Sequence, residues 1–253
     1  MIDIVGLNVN AFKAGDSGDR DAFITLMNER QPDLIAFQEL FQKTSDLSAR
    51  HFAKLSGYEI YATPFESYRG VAIASRTAGT MRPPYCKHDI CKGRMVVVDY
   101  PSFSIASIYA PSPSNTDAIV ARSEFLRCLA QFMRENCEAR IIVVGDFNVT
   151  LSSHDTIRKE SKWISRSASD LIQSVFDECG WFDTYRAHKT DKFKHRQTIW
   201  TEENFSKGAG FGIDFQLASK ALRESFVDAS IIAPESWAKR YSDHAVTTSR
   251  FRI

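Results

Sequence analysis

Apolar, β-branched runs recur along this chain of 253 residues too often for one small sheet to hold them. IDIVGLNVN opens the sequence, and PDLIAFQEL follows a helix-like DAFITLMNER that carries Phe23, Leu26 and Met27 on one side. A second helix-like segment, LSARHFAKLSG, precedes YEIYAT, GVAIASR, GRMVVVDY and FSIASIYAP in near succession. After the long stretch NTDAIVARSEFLRCLAQFMREN the pattern resumes with ARIIVVGDFN. A helix over SASDLIQSVFDECG then leads to TIWT, GFGIDFQLAS and HAVTTSRFRI. Short runs of Val, Ile, Phe and Tyr suit pleated, buried strands, whereas apolar residues three and four apart mark one helix face. In the long helix the expected N-cap is Asn115 or Thr116, and the expected apolar face is Ile119, Val120, Phe125, Leu126, Leu129 and Phe132. The pattern predicts an α/β fold with two packed sheets flanked by helices, as one domain over residues 1–253. A single doubly wound sheet fits the same count. No Pro/Gly/Ser-rich linker divides the chain and no repeat is visible.

A hydrophobic fraction of 43% is enough for a substantial core. Lys and Arg together number 32 against 31 Asp and Glu, so attraction of the whole molecule to polyanions is excluded and nucleic-acid affinity has to come from local patches. Two stretches qualify: Arg158 to Arg166, and Arg186 to Arg196 with Lys189, Lys192 and Lys194. No apolar run approaches the roughly 18 residues of a membrane span, and no basic leader precedes an apolar segment, so a cytoplasmic protein is expected. The five cysteines are odd in number and scattered, which predicts free thiols. Cys86 and Cys91 bracket His88, but without a second ligand pair nearby they do not spell a zinc site.

The apolar runs end in chemically capable side chains. Asn8 and Asn10 close the first, Glu39 closes DLIAFQE, and Tyr109 ends SIASIY. Asp146 and Asn148 follow VVG, Asp214 lies in GIDF, and Asp243 and His244 open the last strand. Residues i and i+2 of an extended chain share a side, so Asp146 and Asn148 look out together. Each residue alone is equally what a strand-terminating turn contains. Taken together, carboxylates and amides form an oxygen-rich set suited to a hard cation such as Mg²⁺. With no GxxxxGK[ST] loop and no HExxH in the chain, P-loop nucleotide hydrolysis and zinc proteolysis lose support. Attack of water on a phosphodiester is the reaction that best uses a cation, a His and an Asp base.

LNVN, DLIAFQE, SIYAP, VGDFN, GIDFQLAS and SDH stand here in an order and spacing that resemble the endonuclease/exonuclease/phosphatase superfamily, from about residue 2 to 250. The likeness is strongest to its exonuclease III and apurinic/apyrimidinic (AP) endonuclease branch, and to the endonuclease domains of non-LTR retrotransposons. The resemblance implies a four-layer α/β/β/α sandwich, dependence on Mg²⁺ or Mn²⁺, and hydrolysis that leaves a 3′-hydroxyl. It implies Glu39, Asn10 and Asp243 near the metal, and Asp146 as the residue that positions or activates water. Asn148 and Tyr109 would contact phosphate, His244 would do so under the hold of Asp214, and Asn8 would support the group. Tyr109 favours the AP-endonuclease branch, because deoxyribonuclease I-like enzymes and lipid phosphatases usually carry His there. Ser112 and Ala11 depart from the pattern, standing where Asn and Gly are usual. Phe211, with Ile199 and Trp200 near it, would supply an apolar wall for an extruded sugar.

The resulting expectation is a monomeric DNA phosphodiesterase acting on duplex DNA, with Lys192, Lys194 and Arg196 tracking the backbone. A phosphatase or phosphodiesterase of small nucleotide, sugar or lipid phosphates needs no basic groove and is the alternative. A silent binding module would have no reason to carry the whole set of polar residues.

Overall fold

The computed structural model describes residues 1–10, 17–40, 55, 57–63, 70–86, 88–158, 160–188 and 195–253. Most of the helix-like segment LSARHFAKLSG lies outside them. In chain order the first half runs β1 (Ile2–Asn8), α1 (Ser17–Arg30), β2 (Leu34–Leu40), β3 (Glu59–Ala62), β4 (Gly70–Ser75), β5 (Thr80–Met81), β6 (Met95–Asp99) and β7 (Ser104–Tyr109). The second half runs α2 (Thr116–Glu135), β8 (Ile141–Asp146), α3 (Arg166–Cys179), β9 (Phe182–Asp183), α4 (Thr184–His188), α5 (Glu202–Ser206), β10 (Asp214–Ala218), β11 (Phe226–Ile232) and β12 (Val246–Phe251).

Two six-stranded mixed sheets result. One has the order β11-β12-β1-β2-β4-β3 and the other β5-β6-β7-β8-β10-β9. The two-sheet expectation therefore holds and the single doubly wound sheet does not. The facing sides of the sheets enclose one apolar layer, including Ile4, Ala36, Ile105 and Val144. A second layer lies between β7, β8 and helices α2 and α3, and a third between β1, β2 and α1. The chain is thus a four-layer α/β/β/α sandwich. Strands covered on both faces are mostly apolar, which is why β2, β4, β7 and β8 read as near-continuous runs and are buried at every position, polar ends included. Gly6 sets the spacing where β1 meets β8, since a Cβ there would stand 2.6 Å from Val144 Cγ1.

Local signals account for the helix ends. Asn115 caps α2, its side chain accepting from the Ala118 amide at 2.9 Å. Gly180 ends α3 in the left-handed region at φ 68°, which costs a residue without a Cβ little. The buried face of α2 differs from expectation: Ile119 and Val120 are 42% and 53% exposed, and Arg122 is buried beside Phe125, Leu126 and Leu129. Both exposed residues lie in the first two turns, before the helix meets the sheet. The free-thiol expectation fails for Cys137 and Cys179, which form a disulfide with Cα atoms 5.2 Å apart. Cys137 follows α2 and Cys179 ends α3, and these helices pack side by side on the same sheet. Among the described residues no helix is long and apolar enough to cross a membrane.

Candidate active site

Strand register brings the polar strand ends together. In the second sheet Tyr109 pairs with Asp146 across the parallel β7–β8 ladder, and Asp214 pairs with Asp146 across the antiparallel β8–β10 ladder. In the first sheet Asn8 ends β1 and Glu39 lies near the end of its parallel neighbour β2. His244 reaches the group from the segment before β12, tied by a backbone bridge to Ile199. Gly145 answers why a glycine precedes Asp146: its φ is +151°, and a Cβ would lie 2.0 Å from the Ile108 carbonyl oxygen. Four described non-glycine residues have positive φ, and three of them are Asn10, Glu39 and Asn148, at 43°, 54° and 50°. Such backbone costs on the order of 1–3 kcal/mol per residue, so its concentration at one place marks a site whose geometry the surrounding fold holds against strain.

Hydrogen bonds then knit the side chains across the two sheets. Asn8 Nδ2 donates to Glu39 Oε1 at 3.2 Å and to Asp146 Oδ2 at 2.9 Å, while its Oδ1 accepts from the Asn10 amide at 2.9 Å. Asn10 Nδ2 donates to Asp243 Oδ1 at 2.8 Å. Asp146 Oδ1 accepts from the Asn148 amide at 2.7 Å. Asn148 Nδ2 donates to the Ala110 carbonyl at 2.9 Å and to Asp146 Oδ2 at 3.2 Å, so its two amide hydrogens are engaged within the protein. His244 Nδ1 faces Asp214 Oδ2 at 2.9 Å and Oδ1 at 3.1 Å. Both partners of that pair are buried.

Burial opposes a charge on His244, but Asp214 beside it, with Asp243 and Asp146 beyond, outweighs burial and pushes its pKa up to about 10. His244 is therefore an imidazolium at neutral pH, with Nδ1–H held by Asp214 and Nε2–H available as a donor. Asp146 is raised well above the ordinary carboxylate value. Burial is the main cause, followed by the charges of Asp214 and Glu39, while His244 and the Asn148 amide act the other way. The chemical capability of His244 and Asp146 together is that of an acid and a base side by side.

Three participants escaped the sequence reading. Thr198 is fully buried; its Oγ1 donates to Asp214 Oδ2 at 2.6 Å and accepts from the Ile213 and Asp214 amides at 3.1 Å. Arg122 Nη1 donates to the Asn148 carbonyl at 2.8 Å and to the Lys162 carbonyl at 3.0 Å, holding the GDFN turn from the helix side. Trp163 Nε1 donates to Asn148 Oδ1 at 3.3 Å. For Arg122, an arginine in the middle of an apolar helix face was the available signal. Thr198 offered none.

The residues expected to meet substrate divide. Phe211 is buried, with its ring centroid 4.8 Å from Trp163 and the Arg158 guanidinium 5.9 Å above it. Trp200 is buried too; its backbone amide donates to the Asp243 carbonyl at 3.1 Å and its indole to Gln197 at 2.9 Å. Arg196 corrects the expectation of a basic surface patch. Its side chain is 1% exposed, forms ion pairs with Asp183 and Asp155, and lies 4.5 Å over the Phe215 ring. Arg186 is likewise occupied, by Asp155 at 2.9 Å and by the His154 carbonyl at 2.8 Å. Lys189, Lys192 and Lys194 lie outside the described residues. In the other stretch Arg158, Lys162 and Arg166 are exposed.

The donor set fits a hard divalent cation. One ligand atom from each of Asp146, Asp214 and His244 falls within a 4.8 Å envelope, but a protonated imidazole repels a cation, so the oxygen side is the part that can bind one. Glu39 joins that side through Asn8, and with Asn10 fastened to Asp243 through its nitrogen, its carbonyl oxygen is the atom left to meet a metal. Buried carboxylates whose charges raise the proton affinity of Asp146 will accept a cation instead.

The chain matches the Endonuclease/Exonuclease/phosphatase family over residues 5–244 and belongs to it; it is accordingly a hydrolase of phosphate esters. An exodeoxyribonuclease of Bacillus subtilis (strain 168) is 23% identical over 243 residues, covering 91% of this chain and 93% of that protein. Among solved structures, an AP endonuclease from Archaeoglobus fulgidus superposes with a TM-score of 0.85 at 19% identity, over 100% of both chains. The 3′ phosphatase NExo from Neisseria, bound to a product DNA hairpin, gives 0.84 at 21% identity, again over 100% of both chains.

Proposed function

We propose that this protein is a Mg²⁺-dependent DNA phosphodiesterase of the AP endonuclease or 3′-exonuclease kind, cleaving so as to leave a 3′-hydroxyl. The observation that carries the reading is the Asp146–Asp214–His244 group: a buried carboxylate with raised proton affinity stands beside an imidazolium whose orientation a second carboxylate fixes. Bound Mg²⁺, held by Glu39 with Asn10 and Asp243, would supply positive charge at the phosphoryl oxygens. His244 Nε2–H donates to a non-bridging oxygen and meets the charge that develops there. Asp146 orients the attacking water and, in its ionised form, takes its proton, its raised proton affinity making it a stronger base than an exposed carboxylate. Asn8 and Asn148 hold Asp146 in place, and Thr198 does the same for Asp214. Tyr109, in register with Asp146, contributes a hydroxyl at the phosphate.

DNA as substrate is supported by the exodeoxyribonuclease relative and by the exposed Arg158, Lys162 and Arg166. A groove of about 670 Å³ beside them is lined by Arg158, Arg166, His195, Thr150 and Ser152, which suit a phosphate backbone, and by Asp170, which does not. The near-neutral charge of the chain favours the alternative of a small phosphate ester. Cleavage of an abasic-site duplex, a plain duplex, a 3′-phosphorylated duplex and an inositol phosphate, each with Mg²⁺ and with chelator, separates these readings. Chelator-sensitive cleavage of a DNA substrate is expected. Hydrolysis of the inositol phosphate alone would overturn the DNA assignment, and cleavage unaffected by chelator would overturn the role of the metal.

A further inference from the structure

A further ligand that the sequence does not place near Cys86 and Cys91 arrives from helix α2. Cys128, 42 residues away, brings its Sγ to 3.3 Å from Cys86 Sγ. That is well beyond the disulfide bond length of about 2.05 Å. One ligand atom from each of Cys86, His88 and Cys128 lies within 4.8 Å of the others. Cys91 is buried directly beneath and has both Cys86 and Cys128 in hydrogen-bonding reach. The segment that carries three of the four is a shaped turn: the Cys91 amide donates to the His88 carbonyl at 2.9 Å and the Arg94 amide to the Cys91 carbonyl at 3.1 Å. Nothing in the reaction proposed above uses these residues.

We propose that Cys86, His88, Cys91 and Cys128 form a structural binding site for a thiophilic metal ion of the Zn²⁺ class, separate from the oxygen-rich active site. The ligand atoms of Cys86, His88 and Cys128, none more than 4.8 Å from another, enclose a point roughly 2–3 Å from each, and Cys91, which interacts with the Cys86 and Cys128 thiols, is the fourth donor. That range contains the tetrahedral distances of about 2.3 Å for Zn–S and about 2.0–2.1 Å for Zn–N. Three sulfurs and one imidazole are a soft donor set that discriminates against Mg²⁺. On binding, each coordinating cysteine releases its Sγ proton to solvent and His88 binds as the neutral imidazole, so no oxidation state changes. The ion would fasten the segment between β5 and β6 to α2. Three residues past Cys91, Arg94 lies 5.2 Å over the Tyr109 ring, so the staple secures the chain that backs the active-site tyrosine.

The test is anaerobic titration of the full-length, reduced and chelator-stripped protein with Co²⁺, followed by absorbance. A saturable thiolate-to-cobalt charge-transfer band at one equivalent is expected, displaced by Zn²⁺, together with a rise in Tm when Zn²⁺ is added. Oxygen ligands of the active site give no such band, so this readout is independent of the nuclease assignment. Cys86→Ser and Cys128→Ser should abolish the band, the exposed His88→Ala should weaken affinity at least tenfold (~1.4 kcal/mol), and the double change Cys137→Ser with Cys179→Ser should leave it intact. If a serine variant fails to fold by circular dichroism, His88→Ala decides by itself. Absence of the band, its persistence in Cys86→Ser or Cys128→Ser, or unchanged affinity in His88→Ala would overturn the site. So would a Cys86–Cys128 disulfide in the unreduced protein combined with no Co²⁺ uptake by the reduced one.

Discussion

Asp155 and Asp183 meet Arg186 and Arg196 in a buried cluster of two acids and two bases, whereas Asp146, Asp214 and Glu39 face one imidazole. Both groups are nearly dry. The first is balanced: Asp155 Oδ2 also accepts from the Leu151 and Ser152 amides at 3.0 and 2.9 Å, and Arg196 is sandwiched against Phe215 and Tyr185. The second keeps an excess of negative charge that nothing within it offsets. A buried cluster that sums to zero can hold a loop in place. One that does not must find its missing charge in a proton or a cation, and the raised proton affinity that burial and the neighbouring carboxylates give Asp146 marks that imbalance.

The contrast makes opposite predictions for the same kind of mutation, and the largest effect falls on the unbalanced cluster. Asp146→Asn should lower kcat for phosphodiester cleavage by roughly 10²–10⁴-fold, the usual contribution of a general base. It should leave Tm unchanged or raised, because it removes a carboxylate from a crowd of carboxylates. Glu39→Gln should also cut activity and, with Asp146→Asn, lose the Tm increase expected when Mg²⁺ is added to the unaltered protein. A large drop in Tm for Asp146→Asn would show the cluster to be structural and would break the comparison.

Arg196→Met reverses the pattern. Leaving Asp183 and Asp155 buried without their partner should cost about 3–5 kcal/mol of stability. Urea unfolding would register it, while kcat at a temperature well below the transition should change little. An Arg196 variant of full stability and poor DNA cleavage would instead restore this residue to the substrate surface.

The pH dependence follows the sign of the two raised pKa values. His244 rises from an ordinary 6.5 to about 10 in the folded protein. Its contribution to stability is therefore complete below 6.5 and disappears as pH climbs through about 10. Asp146 is also raised, so it favours the folded state below its ordinary 3.8 and ceases to do so as pH passes its higher folded value. Asp214→Asn removes the principal support of the imidazolium. The alkaline loss of both Tm and activity should then begin at lower pH, read from parallel scans of the two proteins. An unmoved alkaline limb would mean that another group governs it.

How much of this was legible in the sequence differs between the clusters. Strand-ending residues were visible because apolar runs stop at them, and both Asp146 with Asn148 and Asn8 with Asn10 share a side by simple alternation. The balanced cluster was not, since Asp155, Asp183, Arg186 and Arg196 come from loops and short elements whose pairing depends on tertiary packing. Arg186 and Arg196 therefore read as a surface patch. Strand β11 was missed for a related reason: it is a half-buried edge strand with Asp228 in its middle, and its Arg250 partner lies 22 residues on. Thr198 could not be picked out from any other threonine, because its role rests on one hydroxyl meeting two amides and a carboxylate. The cysteines show the same limit. Cys137 with Cys179 and Cys86 with Cys128 are each 42 residues apart, and only the packing of α2 brings the partners together.

The smallest predicted effect lies on the loop between the two clusters. Lys162 is exposed, its ammonium 4.9 Å over the Trp163 ring, and its carbonyl receives Arg122, so the backbone is pinned to the GDFN turn while the charge faces solvent. If that charge meets one DNA phosphate, Lys162→Ala should weaken binding to long duplex only a few-fold. It should also flatten the dependence of log K on log salt by about 0.9, the release of one counterion. A small phosphodiester, which never reaches the loop, should be cleaved at the unaltered rate. Arg186→Ala, in the stretch once equally eligible for that role, should leave the salt slope alone and lower stability, because its guanidinium is already committed to Asp155. Equal losses on duplex and small diester for Lys162→Ala would place this lysine with the structural cluster, and a changed salt slope for Arg186→Ala would place that arginine on the DNA.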